Sequence, residues 1–342
     1  MRKRTGYIKD SVANFAAKTG FLDIYAFARK KLVGPQLAIL LYHSICPNDG
    51  NWFGSEVSPT NFNIQMEYFS RKYEILSLND LVVKFKQPKS LPANAVVITF
   101  DDGYKNNYVY AYPILKKYSM PATIFVTTGN IGNGQMFWWD KVAYVLDHTT
   151  ASHIQLDEIG DFILKSKFDR QNARSSIVEK LKTLSEKQKN LMVSKLLYLA
   201  NTTIPHNMGN ELRLSWEEIK EMSNQRITFG AHSVSHAILT RVSPEQAKYE
   251  ILQSKKDIEE NTKLRVTAFS YPNGDYEPML VKFVKDSGFE CAFSVKPNKL
   301  INPKDNIYTL GRLGAVDNLN KFKVELCGIW GDLQQFLGQK VN

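Results

Sequence analysis

Residues 99–103 read TFDDG and sit inside a longer run, AVVITFDDGYKNN, over residues 95–107. Ala95, Val96, Val97, Ile98 and Thr99 are apolar or β-branched, so the run predicts a buried strand. That strand ends in an aromatic, two adjacent aspartates and a glycine. Like charges this close raise each other's pKa and oppose ionisation. A cation, a catalytic role or a tight turn would each account for the pair.

The surrounding sequence places this strand in a series. Leu37–Tyr42 (LAILLY) predicts a buried strand that ends at His43 and Ser44. Pro59 opens a helical stretch with Phe62, Met66 and Phe69 on one face. Tyr110–Tyr118 predicts a helix, and Ala122–Val126 (ATIFV) a third strand. Alternation of strand and helix predicts parallel strands joined by crossover helices. Between about 136 and 213 the strand signal fades, and residues 175–200 read as helix. Ser185 and Gln188 have capping-box spacing, which predicts a second helix start inside that stretch. The rhythm resumes with a helix at Trp216–Met222, a strand at Ile227–Gly230 and a helix at Pro244–Glu260. A strand at Val266–Tyr271, a helix at Met279–Ser287 and a strand at Cys291–Val295 follow. The fold class expected is α/β, an irregular TIM-like barrel over residues 37–330. A helical insertion at about 136–213, a basic helical segment at 1–36 and a tail at 331–342 complete the expected organisation.

Composition narrows the function classes. The chain has 342 residues, 43% of them hydrophobic, which suits one large α/β unit. Cys46, Cys291 and Cys327 are far apart and odd in number, which argues against a disulfide framework and for a reducing compartment. No apolar run reaches the roughly 18–20 residues of a membrane span. Arg2, Lys3 and Arg4 are not followed by an apolar stretch, so no secretory signal is expected and the chain is placed in the cytoplasm. The net charge is +10, and residues 1–36 hold +6 of it. Ile8, Val12, Phe15, Leu22 and Tyr25 recur there at helical spacing. Such a helix either packs on the domain surface or lies on anionic lipid, making a peripheral membrane contact. No nucleic-acid motif is present, and no nucleic-acid partner is expected.

In a parallel barrel, function gathers where strands end. Four predicted strand ends carry polar chemistry: His43; Asp101 with Asp102; His232 with His236; and Tyr271-Pro272-Asn273-Gly274. The histidines occur as HSVSH, and positions i and i+4 point the same way on a helical turn. Two imidazoles and one carboxylate form a common divalent-metal set with open positions. One aspartate of the pair would then ligate the cation, and its neighbour would serve as general base toward water. Asp-Asp-Gly alone marks a turn as readily as a site, and the His pair lacks the zincin glutamate. Their joint placement at strand ends carries the reading.

The sequence resembles the polysaccharide deacetylases, the NodB-type domain of carbohydrate esterase family four. The segments that carry the resemblance are Thr99–Gly103, His232–His236, Leu41-Tyr42-His43-Ser44, Phe137-Trp138-Trp139-Asp140, Leu214-Ser215-Trp216 and Phe269–Gly274. It spans roughly residues 37–315. The resemblance implies a metal-dependent hydrolase that removes acetyl groups from N-acetylated sugars of a polysaccharide, oligosaccharide or lipid-linked glycan. Asp102, His232 and His236 would hold one divalent ion, zinc in most of the family, and Asp101 would be the base. Backbone near Asn273, within Tyr271-Pro272-Asn273, would stabilise the oxyanion. The chain departs from the common pattern: Ser270 stands where the third motif usually begins with arginine, and no histidine follows His236. His43 is therefore the candidate general acid, and Arg312 the candidate partner of Asp101. Of Trp138, Trp139 and Trp216, at most one is expected to stack on sugar, Trp139 being the candidate. An O-acetyl esterase and an inactive carbohydrate-binding homologue are the alternatives.

Overall fold

Among the described residues, ten strands and the helices between them follow from two residue patterns, continuous apolar runs and amphipathic stretches with capping residues. The computed structural model describes residues 19–34, 36–47, 57–87, 91–92, 94–295, 300–329 and 332. The chain divides into two units. The first takes the described residues of 1–49, 55–129 and 214–342, and the second, among the described residues, takes Asn130–Arg213.

The first unit is a curled parallel sheet. Its strands are β1 (Leu37–Tyr42), β2 (Glu74–Ile75), β3 (Ala95–Phe100), β4 (Ala122–Val126), β7 (Ile227–Ala231), β8 (Ala268–Ser270), β9 (Cys291–Phe293) and β10 (Leu313–Gly314). In space they run β10-β1-β3-β4-β7-β8-β9, with β2 also on β3. Leu310 bridges in parallel to Phe293 of β9, and three residues later Leu313 pairs with Leu40 of β1. The 310–314 segment therefore links both ends of the row and curls it into an irregular barrel. β1 and β3 pair in register from Leu37↔Ala95 to Tyr42↔Phe100, and all six residues of each are buried. Strands covered on both faces need apolar side chains throughout, which is why these runs do not alternate. Each buried Leu, Ile or Val contributes roughly 1.5–3 kcal/mol. Thr99 is the polar exception, and its hydroxyl donates to the Leu40 carbonyl at 2.6 Å.

Helices start where the sequence supplies caps. Ser58 caps the helix Pro59–Lys72, which buries Phe62, Met66 and Phe69, and Ser243 caps Pro244–Thr262. The Tyr110–Tyr118 stretch differs from expectation: a π-helical turn, Asn107–Ala111, leads into a helix of Tyr112–Lys117. Of the basic N-terminal segment, Ile8, Val12 and Phe15 lie outside the described residues. Its described helix, Phe21–Val33, buries Leu22 against Val324 and Cys327.

The second unit holds the helices Trp138–His148, Lys167–Lys182 and Glu186–Leu199. The break at Ser185 is the capping box read from the sequence, with Gln188 as its partner. The unit is not wholly helical: β5 (His153–Leu156) and β6 (Gly160–Ile163) form an antiparallel hairpin. Its signal was the alternation of buried Ile154 and Leu156 with exposed neighbours. Its own core includes Ile154, Leu156, Phe162, Ile177, Leu181 and Leu196.

Candidate metal centre

The Asp-Asp-Gly stretch turns the chain at the end of β3. The parallel ladder continues one residue beyond the strand, with the Asp101 N–H donating to the Tyr42 carbonyl at 2.9 Å. Asp102 and Gly103 then adopt left-handed conformations, with φ of 73° and 68°. Asp tolerates that region better than most residues, and Gly best of all. At Gly103 any Cβ would also lie 2.9 Å from Val126 Cγ1. The turn reading and the site reading of Asp-Asp-Gly are thus compatible, because the turn is what separates the directions of the two carboxylates.

Asp102, His232 and His236 converge. Asp102 Oδ1 lies 3.5 Å from His232 Nε2 and 3.2 Å from His236 Nε2. Their potential ligand atoms all lie within 4.8 Å of one another. His232 Nδ1 faces the Ser270 carbonyl at 2.7 Å, and a carbonyl can only accept, so Nδ1 carries the proton. In its neutral form the ring then presents its Nε2 lone pair to the site, the arrangement of a metal-binding histidine held by a backbone carbonyl. Burial alone would raise the Asp102 carboxyl, but the His232 and His236 rings outweigh it and hold it well below the usual range. Burial lowers His236, whereas at His232 the two aspartates overcome burial and raise it.

The donor set fits a cation. Asp102 Oδ1 is buried and makes no hydrogen bond among the described residues. Buried polar atoms are rarely left so. Ligands about 2.0–2.2 Å from a tetrahedral centre stand about 3.3–3.5 Å apart. The Asp102–imidazole separations, 3.5 and 3.2 Å, lie close to that spacing. The histidines reach this place without a helical turn, which corrects the expectation from i,i+4 spacing. His232 directly follows β7, and Ser233 and His236 are left-handed, with φ of 64° and 59°. Their rings lie edge to face, with centroids 4.8 Å apart.

Asp101 is held separately. Arg312 Nη1 donates to Asp101 Oδ1 at 2.7 Å, and Nη2 to Oδ2 at 2.6 Å. The Ser270 hydroxyl donates to Asp101 Oδ2 at 3.1 Å and accepts from Arg312 Nη2 at 2.9 Å. Arg312 also reaches Thr99 Oγ1 and the Ser294 carbonyl, so each of its three nitrogens is engaged. Burial would raise the Asp101 carboxyl, but Arg312 and His232 hold it below the usual range. His232 Nε2 stands 3.9 Å from Asp101 Oδ2.

The remaining candidates are distributed as follows. His43 follows β1, half-buried, and a charge there bears on both aspartates. Tyr271 is buried, its hydroxyl donates to the Tyr308 carbonyl at 3.1 Å, and burial pushes its pKa up. Pro272–Gly274 form a single 3₁₀ turn in which Asn273 has φ of 59°. The Asn273 side chain donates to Asp275 at 2.7 Å. Trp139 belongs to the second unit, where it stacks on Phe137 with centroids 4.3 Å apart. Glu250, which binds the backbone of the histidine loop, was missed because one more glutamate in a charged helix carries no signal.

The fold and this donor set define a parallel α/β barrel with a candidate metal centre at its strand ends. A model of the polysaccharide deacetylase family matches residues 89–292, more than half of the chain, and the chain belongs to that family. The family is metal-dependent, and the cluster of Asp102, His232 and His236 is a possible place for the ion. YxkH of Bacillus subtilis (strain 168), itself assigned to the polysaccharide deacetylases, is 25% identical over 263 residues, 77% of this chain and 65% of that protein. The poly-β-1,6-N-acetyl-D-glucosamine N-deacetylase of Staphylococcus aureus (strain NCTC 8325) is 39% identical over 88 residues, 25% of this chain and 30% of that enzyme. The chain thus spans less than two thirds of the length of these relatives. Among solved structures, the fold is shared with the Streptococcus pyogenes deacetylase PplD in complex with acetate. That likeness has a TM-score of 0.58 at 20% identity, covering 86% of this chain and 98% of that one. It is shared also with IcaB from Ammonifex degensii, with a TM-score of 0.55 at 18% identity, covering 86% and 97%.

Proposed function

We propose that this protein hydrolyses the acetamide of N-acetylated sugars in a glycan, releasing acetate and a free amine. The observation that carries the reading is the separation of Asp101 from Asp102. One carboxylate shares a point with two imidazoles, and the other is gripped by Arg312 within reach of the same point. Asp102, His232 and His236 would hold a single zinc ion, in keeping with two imidazoles and a carboxylate. When bound, such an ion polarises the acetyl carbonyl and lowers the pKa of water.

The protein's own groups would do the rest. Asp101, kept ionised and oriented by Arg312 and Ser270, takes a proton from the attacking water. Backbone of the 271–274 turn stabilises the developing oxyanion. His43 gives a proton to the departing nitrogen, as an amine leaves poorly as an anion. Tyr271, tied to the Tyr308 carbonyl, shapes the turn from within the core. The test is metal analysis of the purified protein, together with acetate release from N-acetylglucosamine oligomers and from acetylated xylan. Zinc near one per chain and release from the amide substrate are expected. Release from xylan alone would make it an esterase, and no release with no metal would make it an inactive homologue.

We propose further that the basic N-terminal segment meets anionic lipid. The helix Phe21–Val33 leaves Phe21, Ile24, Phe27 and Leu32 exposed beside Lys31. No helix among the described residues is long and apolar enough to cross a membrane. Co-sedimentation with phosphatidylglycerol vesicles tests this: Ile24→Glu with Phe27→Glu is expected to abolish it, and unchanged binding overturns it. Placement in the cytoplasm is likewise proposed, from three cysteines that are odd in number, far apart in sequence and each buried; fractionation of cells making the natural protein tests it.

A further inference from the structure

The loop that carries both imidazoles is short and conformationally unusual. Ser233 and His236 are left-handed, a region that non-glycine residues adopt rarely. Within the loop, the His236 N–H donates to Ser233 Oγ at 2.9 Å. Its other polar groups are held from two sides. On the sheet side, the Thr127 hydroxyl donates to the His232 carbonyl at 3.2 Å. The Thr128 N–H donates to the Ser233 carbonyl at 3.2 Å, and the Gly129 N–H to that of Val234 at 2.8 Å. On the helix side Glu250 does the holding. Glu250, 1% exposed on the helix Pro244–Thr262, accepts the N–H of Val234 and that of Ser235, each at 2.8 Å on Oε2. Its Oε1 accepts the Ser235 hydroxyl at 2.7 Å and the Gln246 amide at 3.0 Å.

We infer that Glu250 is a positioning residue for the metal centre, fixing the 233–236 turn and thereby the direction of the His236 ring. The inference rests on the metal-site reading above. An ionised carboxylate accepting two adjacent backbone N–H groups makes charge-assisted hydrogen bonds, roughly twice as strong as neutral ones. Without that clasp, the Val234 and Ser235 N–H groups lose the carboxylate that ties them to the helix, and the left-handed turn loses the support that keeps it. A ligand that wanders binds metal less tightly, because the cost of ordering it falls on the binding step. Groups standing behind metal ligands are worth about 10- to 100-fold in affinity when removed.

The test is competitive zinc titration of metal-stripped protein against a chromophoric chelator, for the wild type, Glu250→Gln, Glu250→Ala and Asp102→Asn. Glu250→Ala is expected to weaken zinc by about 10- to 100-fold. Glu250→Gln keeps one oxygen for the backbone donors and is expected to fall between it and the wild type. Saturating zinc should restore the zinc stoichiometry of Glu250→Gln to the wild-type value. If Glu250→Ala does not fold, Glu250→Gln carries the test alone. Lowered thermal stability with wild-type zinc affinity in Glu250→Gln would make the residue merely structural and overturn the inference. Zinc binding by the wild type that Asp102→Asn also retains would overturn the metal-site reading and this inference together.

Discussion

Arg312 and Asp101 meet through two parallel hydrogen bonds of 2.7 and 2.6 Å, with the side chains 0% and 3% exposed. The planar guanidinium matches a carboxylate in this way, whereas a lysine cannot. The pair sets the pH behaviour of the proposed base. Asp101 sits below its ordinary value when folded, so its ionised form is favoured by folding. That contribution is present above the unfolded pKa and is lost as pH falls through the folded one. In Arg312→Met, burial acts on Asp101 with its largest opposing charge removed, and the carboxyl rises. The acid limb of kcat/KM should move to higher pH, and activity at neutral pH should drop by about 100-fold or more. Removing one partner of a buried pair should also cost about 3–5 kcal/mol of stability. An acid limb that stays where it is would contradict the pairing.

His43 has a different signature. It follows β1 on the same barrel rim as the aspartates. It is absent from the donor cluster of Asp102, His232 and His236. As a general acid it should matter to kcat and little to metal content. His43→Gln is expected to lower kcat by about 100- to 10,000-fold with zinc stoichiometry unchanged. Loss of metal in that variant would reassign His43 to the ligand set.

The site was legible in the sequence to the extent that strand ends were. LAILLY, AVVITF and ATIFV announce buried strands, so His43 and the Asp101–Asp102 pair could be placed on one rim from their neighbours alone. Arg312 was reachable only through the gap left by Ser270. The structure gives that gap a physical reason: the small Ser270 side chain shares hydrogen bonds with both Asp101 and Arg312, and an arginine there would add a second cation at the same carboxylate. The HSVSH spacing singled out two residues that the structure does bring into one cluster with Asp102, but not through a helical turn, since left-handed residues do not announce themselves in serine and histidine. The β5–β6 hairpin was hidden because its strands are four residues each, too short for periodicity to separate from loop.

Tyr271 separates a residue in a motif from a residue in the chemistry. Its ring is fully buried, and its hydroxyl donates to the Tyr308 backbone rather than into the cluster. Tyr271→Phe removes one hydrogen bond and leaves the Tyr308 carbonyl to find another donor. The expected cost is about 1–2 kcal/mol in chemical denaturation. The expected kcat is within about threefold of wild type, because the ring still supports the 272–274 turn. A loss of kcat beyond tenfold with stability intact would place the hydroxyl in the reaction.

The second unit contains a buried pair of its own, and its energetics differ from those of the site. Asp140 and Arg213 form an ion pair with side chains 0% and 1% exposed, and the Arg213 guanidinium lies 3.6 Å from the centroid of the Phe137 ring. Two charges taken out of water gain from each other only while both are present. Asp140→Leu takes the carboxylate away from the buried guanidinium and should destabilise by about 3–5 kcal/mol. Arg213→Met alone should do the same, by removing the cation that the buried carboxylate faces. The double variant Asp140→Leu with Arg213→Met removes both charges, keeps apolar volume against Phe137, and should recover most of the loss. Thermal unfolding of the four proteins closes the cycle. Losses that simply add in the double variant would mean that the two side chains do not depend on each other.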